Sequence, residues 1–224
     1  MYHSTHQIMT TELKTSPLTR NTLEDFWKHA LPYSLYRGLV ESLAVMNKTT
    51  GFEQTEERIS ATKLNLVRMN RVEKTFALTP QLREALDQLR IPLKWLVISE
   101  GWCGDSAQIL PALHKIAEAS GGKIQMKTTL RDENPALMDA FLSNGTRSVP
   151  KLICMDDSFK VLATWGPRPE TAQQLVVQLK SDPRTAPLFK EELHKWYAKD
   201  RSQTIEEEIA KMLTLVHALE HAKN

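Results

Sequence analysis

Trp102-Cys103-Gly104-Asp105-Ser106 is the stretch on which the reading of this chain turns. A nearly all-apolar run, Leu93 to Ser99, leads into it, as expected of a strand buried on both faces. A helical pattern from about Asp105 to Ala119 leads out and stops at Gly121-Gly122. Cys103 is therefore predicted where a buried strand hands over to a helix N-terminus. Free backbone amides there stabilise a thiolate, so the spacing predicts a depressed thiol pKa. Asp105, when ionised, pushes the other way, and the Ser106 hydroxyl is placed to donate to the sulfur.

Upstream, Thr79-Pro80 reads as an N-cap with proline at the first helical position, and Leu82, Ala85, Leu86 and Leu89 form one apolar stripe before Pro92 stops it. Downstream, Lys123 to Thr129 alternates as a strand, and Pro135 to Ser143 reads as a helix with Asn144-Gly145 as its left-handed stop. Lys151 to Met155 and Lys160 to Thr164 are two strands joined by Asp156-Asp157-Ser158, a hairpin signal. Gly166-Pro167 breaks the chain, and Glu170 to Lys180 is a further helix. Helices between successive strands imply parallel pairing, and the short turn implies antiparallel pairing. The fold class is α/β, a small mixed sheet covered by helices on both faces.

Both ends read as helical. Residues 1 to about 20 carry no periodicity and are expected to form a tail. Helices are predicted from Thr22, with Asp25 as its start signal, from Tyr33 to Met46 after Pro32 interrupts, and from Glu53 to Arg71 with Ile59, Leu66 and Met69 inward. After Asp182-Pro183 come Pro187 to Lys199 and a last helix opened by a Thr204–Glu207 capping box, with Ile205, Ile209, Met212, Val216 and Leu219 in a stripe. The division is a tail and helical extension over 1–78, an α/β core over 79–181 and a second helical extension over 182–224. The extensions are too small to stand alone, so their apolar faces are expected to pack on the core or on a second copy of the chain as a homodimer.

The net charge is +2, with basic and acidic residues interspersed, so no basic stripe points to nucleic acid. No apolar run approaches the roughly 20 residues of a membrane span, and residues 1–17 lack the apolar core of a signal segment. Two cysteines, Cys103 and Cys154, are too few for a disulfide scaffold, and the chain reads as cytoplasmic. His217 and His221 are four apart but have no acidic or thiol partner nearby, so no metal site is expected. No cofactor is implied.

Trp102-Cys103-Gly104-Asp105-Ser106 resembles the active-site motif of the thioredoxin superfamily, Trp-Cys-Gly-x-Cys, which opens the first long helix of that fold. Pro111 falls where the family carries a helix-kinking proline, Val149-Pro150 resembles its cis-proline, Lys151 to Thr164 matches its final hairpin and Gly166 the glycine after it. The resemblance spans about residues 80–181 and implies a thioredoxin-like sheet flanked by helices, with added N- and C-terminal helices. It implies that Cys103 is the nucleophile. It also implies that Trp102, Gly104, Asp105, Val149 and Pro150 contact substrate, the Val149 backbone pairing with an extended segment.

Two departures matter. Ser106 stands in place of the family's resolving cysteine, and Val97 in place of its buried aspartate. Without a second thiol, a mixed disulfide on Cys103 has no internal route to release. The expectation is a monothiol thiol–disulfide oxidoreductase acting on protein or low-molecular-weight disulfides, resolved by an external thiol. The alternative is a redox-inactive thioredoxin-fold binding or assembly module. Cys154, between Ile153 and Met155, reads as a small buried residue deep in the sheet.

Overall fold

The computed structural model describes residues 18–221, so the tail expected over residues 1 to about 20 falls almost wholly outside the described residues. Five strands form one sheet: β1 (Leu31–Pro32), β2 (Leu93–Ser99), β3 (Ile124–Leu130), β4 (Lys151–Asp156) and β5 (Val161–Trp165), in the order β1-β3-β2-β4-β5. β2 and β3 run parallel in register Leu93 with Ile124 through Ser99 with Leu130, as the intervening helix requires. β4 is antiparallel to both β2 and β5.

The helices are α1 (Arg20–His29), α2 (Tyr33–Val45), α3 (Glu56–Thr75), α4 (Pro80–Gln88), α5 (Gly104–Ala119), α6 (Pro135–Ala140), α7 (Glu170–Ser181), α8 (Phe189–Asp200) and α9 (Gln203–His221). They cover both faces of the sheet. On one face Leu93, Trp95, Val97 and Cys154 pack against α2, α3, α4, α5 and α9. On the other, Leu96, Ile98 and Ile153 pack against Leu23 and Trp27 of α1 and Leu137 and Met138 of α6. The alternation along β2 therefore feeds two cores, and only Lys94 of that strand is less than buried.

Several boundaries differ from the sequence reading. The N-cap of α1 is Thr19, whose hydroxyl accepts from the Thr22 amide at 3.3 Å, so Thr22 lies inside the first turn. Pro32 does more than interrupt, because Leu31–Pro32 adds a short antiparallel edge to β3. α3 starts at Glu56 behind a Thr55 cap and runs on to Thr75. α6 stops at Ala140, and Asn144 and Gly145, both with positive φ, turn the chain between paired Ser143 and Thr146. The Thr204–Glu207 capping box does not form; the Thr204 amide donates to the Asp200 carboxylate at 3.3 Å, while Arg201 and Ser202 take left-handed φ and separate α8 from α9. Ile205, Ile209, Met212 and Val216 face inward as the stripe requires, and the side chain of Leu219 lies outside the described residues. Among the described residues no helix is long and apolar enough to cross a membrane.

Candidate active site

The turn after β2 is built by groups far away in sequence. Glu100 is fully buried, and burial raises its pKa. Its carboxylate accepts from the Thr50 hydroxyl and from the Asp132 amide at 2.9 Å. Thr50 also accepts from the Gly101 amide at 2.7 Å, and Asn65 of α3 donates to the Gly101 carbonyl at 2.8 Å. The N-terminal helical block thus fixes the backbone that presents Trp102 and Cys103. The guanidinium groups of Arg58 and Arg131 lie 4.4 and 4.7 Å from the Trp102 ring centroid, which fixes the indole beside the cysteine.

Cys103 is the residue before α5, and it is 9% exposed. Its thiol donates to the Val149 carbonyl at 3.2 Å. The Val149–Pro150 peptide is cis, and so is Gly166–Pro167. Gly166, at φ +112°, backs this loop so closely that a Cβ there would fall 2.5 Å from the Pro150 carbonyl oxygen. The Val149 carbonyl is therefore engaged by the thiol.

The expected depression of the Cys103 pKa is corrected. Burial pushes the thiol up to about 11, the Asp105 charge adds to the rise, and the Ser106 hydroxyl and the amides of Asp105 and Ser106 offset only part of it. The helix N-terminus favours the thiolate as expected, but desolvation outweighs it here. Ser106 is 2% exposed, and its Oγ has no well-formed hydrogen bond. It is a donor in reserve for a thiolate.

Asp105 lies at the wall of a cleft beside Cys103 with its carboxylate already engaged. Its Oδ2 accepts from Arg168 at 2.6 and 3.2 Å, and its Oδ1 accepts from the Tyr197 hydroxyl of α8 at 2.8 Å. Its role is to tie α8 and the loop after β5 to the start of α5. Cys154 is fully buried, its thiol pushed up to about 12 by burial, and it belongs to the core on the face of the sheet opposite that of Cys103. Val97 is fully buried, so no acid stands at that position.

α3 and α8 flank the N-terminus of α5 and leave between them a cleft of about 1040 Å³, with Arg68, Trp102, Cys103, Gly104 and His194 in its wall. Arg68 and His194 were invisible to sequence reasoning, because they lie in the extensions outside the motif. Gly104 is tightly placed, since a Cβ on it would lie 2.6 Å from His194 Cε1.

A cysteine at the start of a helix, facing a cis-proline loop across a mixed sheet, defines a thioredoxin-like α/β protein. The chain belongs to the thioredoxin family, whose model matches residues 51–183 and so takes in α3 as well as the core. It is 33% identical over 70 residues to Thioredoxin 1 of Nostoc sp. (strain PCC 7120 / SAG 25.82 / UTEX 2576), a match covering 31% of this chain and 63% of that one. The same identity and length hold for thioredoxin of Rhodospirillum rubrum, where 64% of the relative is covered. The chain thus spans a little under two thirds of these curated relatives. Among solved structures it is similar to a protein of unknown function, PA1234, from Pseudomonas aeruginosa, with a TM-score of 0.57 at 17% identity over 90% of this chain and 99% of that one. An HIV epitope scaffold gives a TM-score of 0.51 at 14% identity, over 89% and 97% of the two chains.

Proposed function

We propose that the protein catalyses thiol–disulfide exchange through Cys103 alone. The observation that carries this reading is the placement of the Cys103 sulfur at the start of α5, 3.2 Å from the cis-proline loop and in the wall of the cleft. Loss of the thiol proton gives a thiolate that gains bonds from the Ser106 hydroxyl and the Asp105 and Ser106 amides. It attacks one sulfur of a disulfide R–S–S–R; the S–S bond breaks, RS⁻ leaves and takes up the proton, and Cys103–S–S–R forms. An external thiol R′SH then attacks the R sulfur, releasing R–S–S–R′ and restoring Cys103. Substrates are protein or low-molecular-weight disulfides, and two free cysteines suit a reducing compartment such as the cytoplasm.

One observation favours a second reading, a binding module without turnover: the resting thiol is buried and protonated at neutral pH. The two separate in one assay. Wild type and Cys154→Ala are expected to accelerate exchange between hydroxyethyl disulfide and a dithiol, and Cys103→Ala is not. Equal rates for wild type and Cys103→Ala would leave only the binding module.

A further inference from the structure

The charges around the cleft do not balance. Five cationic side chains line it, Arg58, Arg68, Arg168, Lys190 and Lys195, along with four carboxylates. Each carboxylate has a cationic partner: Glu53 with Arg58 at 2.9 Å, Glu57 with Lys190 at 2.8 Å, Asp105 with Arg168 at 2.6 Å and Glu191 with Lys195 at 2.8 Å. Arg68 is left over. It has no carboxylate within ion-pair distance among the described residues, and its one hydrogen bond is from Nη1 to the neutral Asn65 Oδ1 at 2.7 Å. A partly desolvated guanidinium that feels only the Asp105 charge, itself already taken by Arg168, is an anion site in waiting.

A second donor converges on the same point. Arg71 donates to Gln108 Oε1 at 2.6 Å, which fixes the amide so that Gln108 Nε2 donates to His194 Nδ1 at 3.3 Å. That bond assigns the proton of the neutral imidazole to Nε2. Burial, reinforced by Arg68, lowers the His194 pKa to about 4, so the ring is neutral near pH 7. His194 Nε2 and Arg68 Nη1 lie 2.7 and 3.4 Å from where a Cβ on Gly104 would be. The missing side chain of Gly104 is what lets His194 and Arg68 close in there, so the two donors form a small cradle against that residue, next in the chain to the reactive sulfur. Two further donors of cleft-lining residues, Arg58 Nη1 and Trp102 Nε1, are buried without a hydrogen-bond partner.

We propose that the cleft selects low-molecular-weight disulfides that carry a carboxylate, which Arg68 and His194 hold over Gly104 while Cys103 attacks the adjacent sulfur. This rests on the exchange reading above and names its substrate class. The bonds made and broken are those already given, and the carboxylate takes no part in them.

Two measurements on the full chain test it. In the first, adipate, a dicarboxylate with no sulfur, is tested for protection of Cys103 against iodoacetamide. Slower alkylation at millimolar adipate supports the cradle, and an unchanged rate overturns it, whether or not any disulfide reacts. In the second, adduct formation on Cys103 is timed by intact mass with dithiodipropionate and with neutral hydroxyethyl disulfide, each relative to a small reference thiol. Wild type is expected to favour the dicarboxylate by about tenfold, equivalent to about 1.4 kcal/mol. Arg68→Gln is expected to bring that ratio down to the reference value. A wild-type ratio equal to the reference, or an undiminished ratio in Arg68→Gln, overturns the cradle and leaves exchange intact. No adduct from either disulfide, with adipate protection present, overturns exchange and leaves the cradle as an anion-binding site.

Discussion

At the scale of single residues, Cys103 is governed by a contest between helix amides and desolvation. Desolvation wins, because the thiol is 9% exposed and its pKa is raised from 9.0 to about 11. The sign of the linkage follows. The native state holds the thiol proton more tightly than the unfolded chain, so its contribution to stability is complete below about pH 9 and is lost as pH rises through about 11. Alkylation of Cys103 in the native protein is therefore expected to climb about tenfold per pH unit between about pH 7 and 10. A plateau near neutrality, read by iodoacetamide kinetics, would contradict the burial argument. Asp105 adds to this brake. Asp105→Asn strips Arg168 and Tyr197 of their shared acceptor charge and is expected to lower stability by about 2–4 kcal/mol, read by urea unfolding. The same variant is expected to shift the alkylation profile to lower pH, which a purely structural role would not do. The position of Cys103 was legible from the strand, the motif and the helix around it. Its proton affinity was not, because burial outweighs the neighbouring Asp105 and Ser106, and that burial comes from segments distant in sequence, such as the loop of Val149 whose carbonyl accepts from the thiol.

At the scale of elements, β2, the β4–β5 hairpin, α4 and α5 were readable because each combines a clean period with punctuation at its ends. β1 was not, since two residues carry no period and the strand exists only by pairing with β3. The α9 start was misread because Thr204 and Glu207 fit a capping box, whereas the Asp200 carboxylate takes the amide instead. The join that matters most for the site is Gly166 against Pro150. Gly166→Ala would set a Cβ 2.5 Å from backbone in a φ of +112°, a combination of overlap and strain worth about 2–4 kcal/mol. It is expected to lower the melting temperature and to release the Val149 carbonyl from the thiol, visible as faster alkylation of Cys103. A melting temperature equal to wild type would show that the loop accommodates a side chain.

At the scale of the whole molecule, the helical extensions are part of the core and of the site. Ile205, Ile209, Leu213 and Val216 of α9 are fully buried among residues of β2, α4 and α5. Ile209→Ala is expected to cost about 2–5 kcal/mol, and a chain ended after residue 182 is expected to lose cooperative unfolding in a thermal melt. A sharp melt from that shortened chain would mean that the core folds without its C-terminal helices. The same extensions wall the cleft that Cys103 lines, between α3 and α8.

The central claim, a single reactive thiol held ready in a folded cleft, is tested most directly by the mass of the native chain after reaction with hydroxyethyl disulfide. One adduct is expected, mapped to Cys103 and cleared by an added thiol, with Cys154 unmodified until the chain is unfolded. A native chain that takes no adduct, while the unfolded chain takes one on each cysteine, would contradict it.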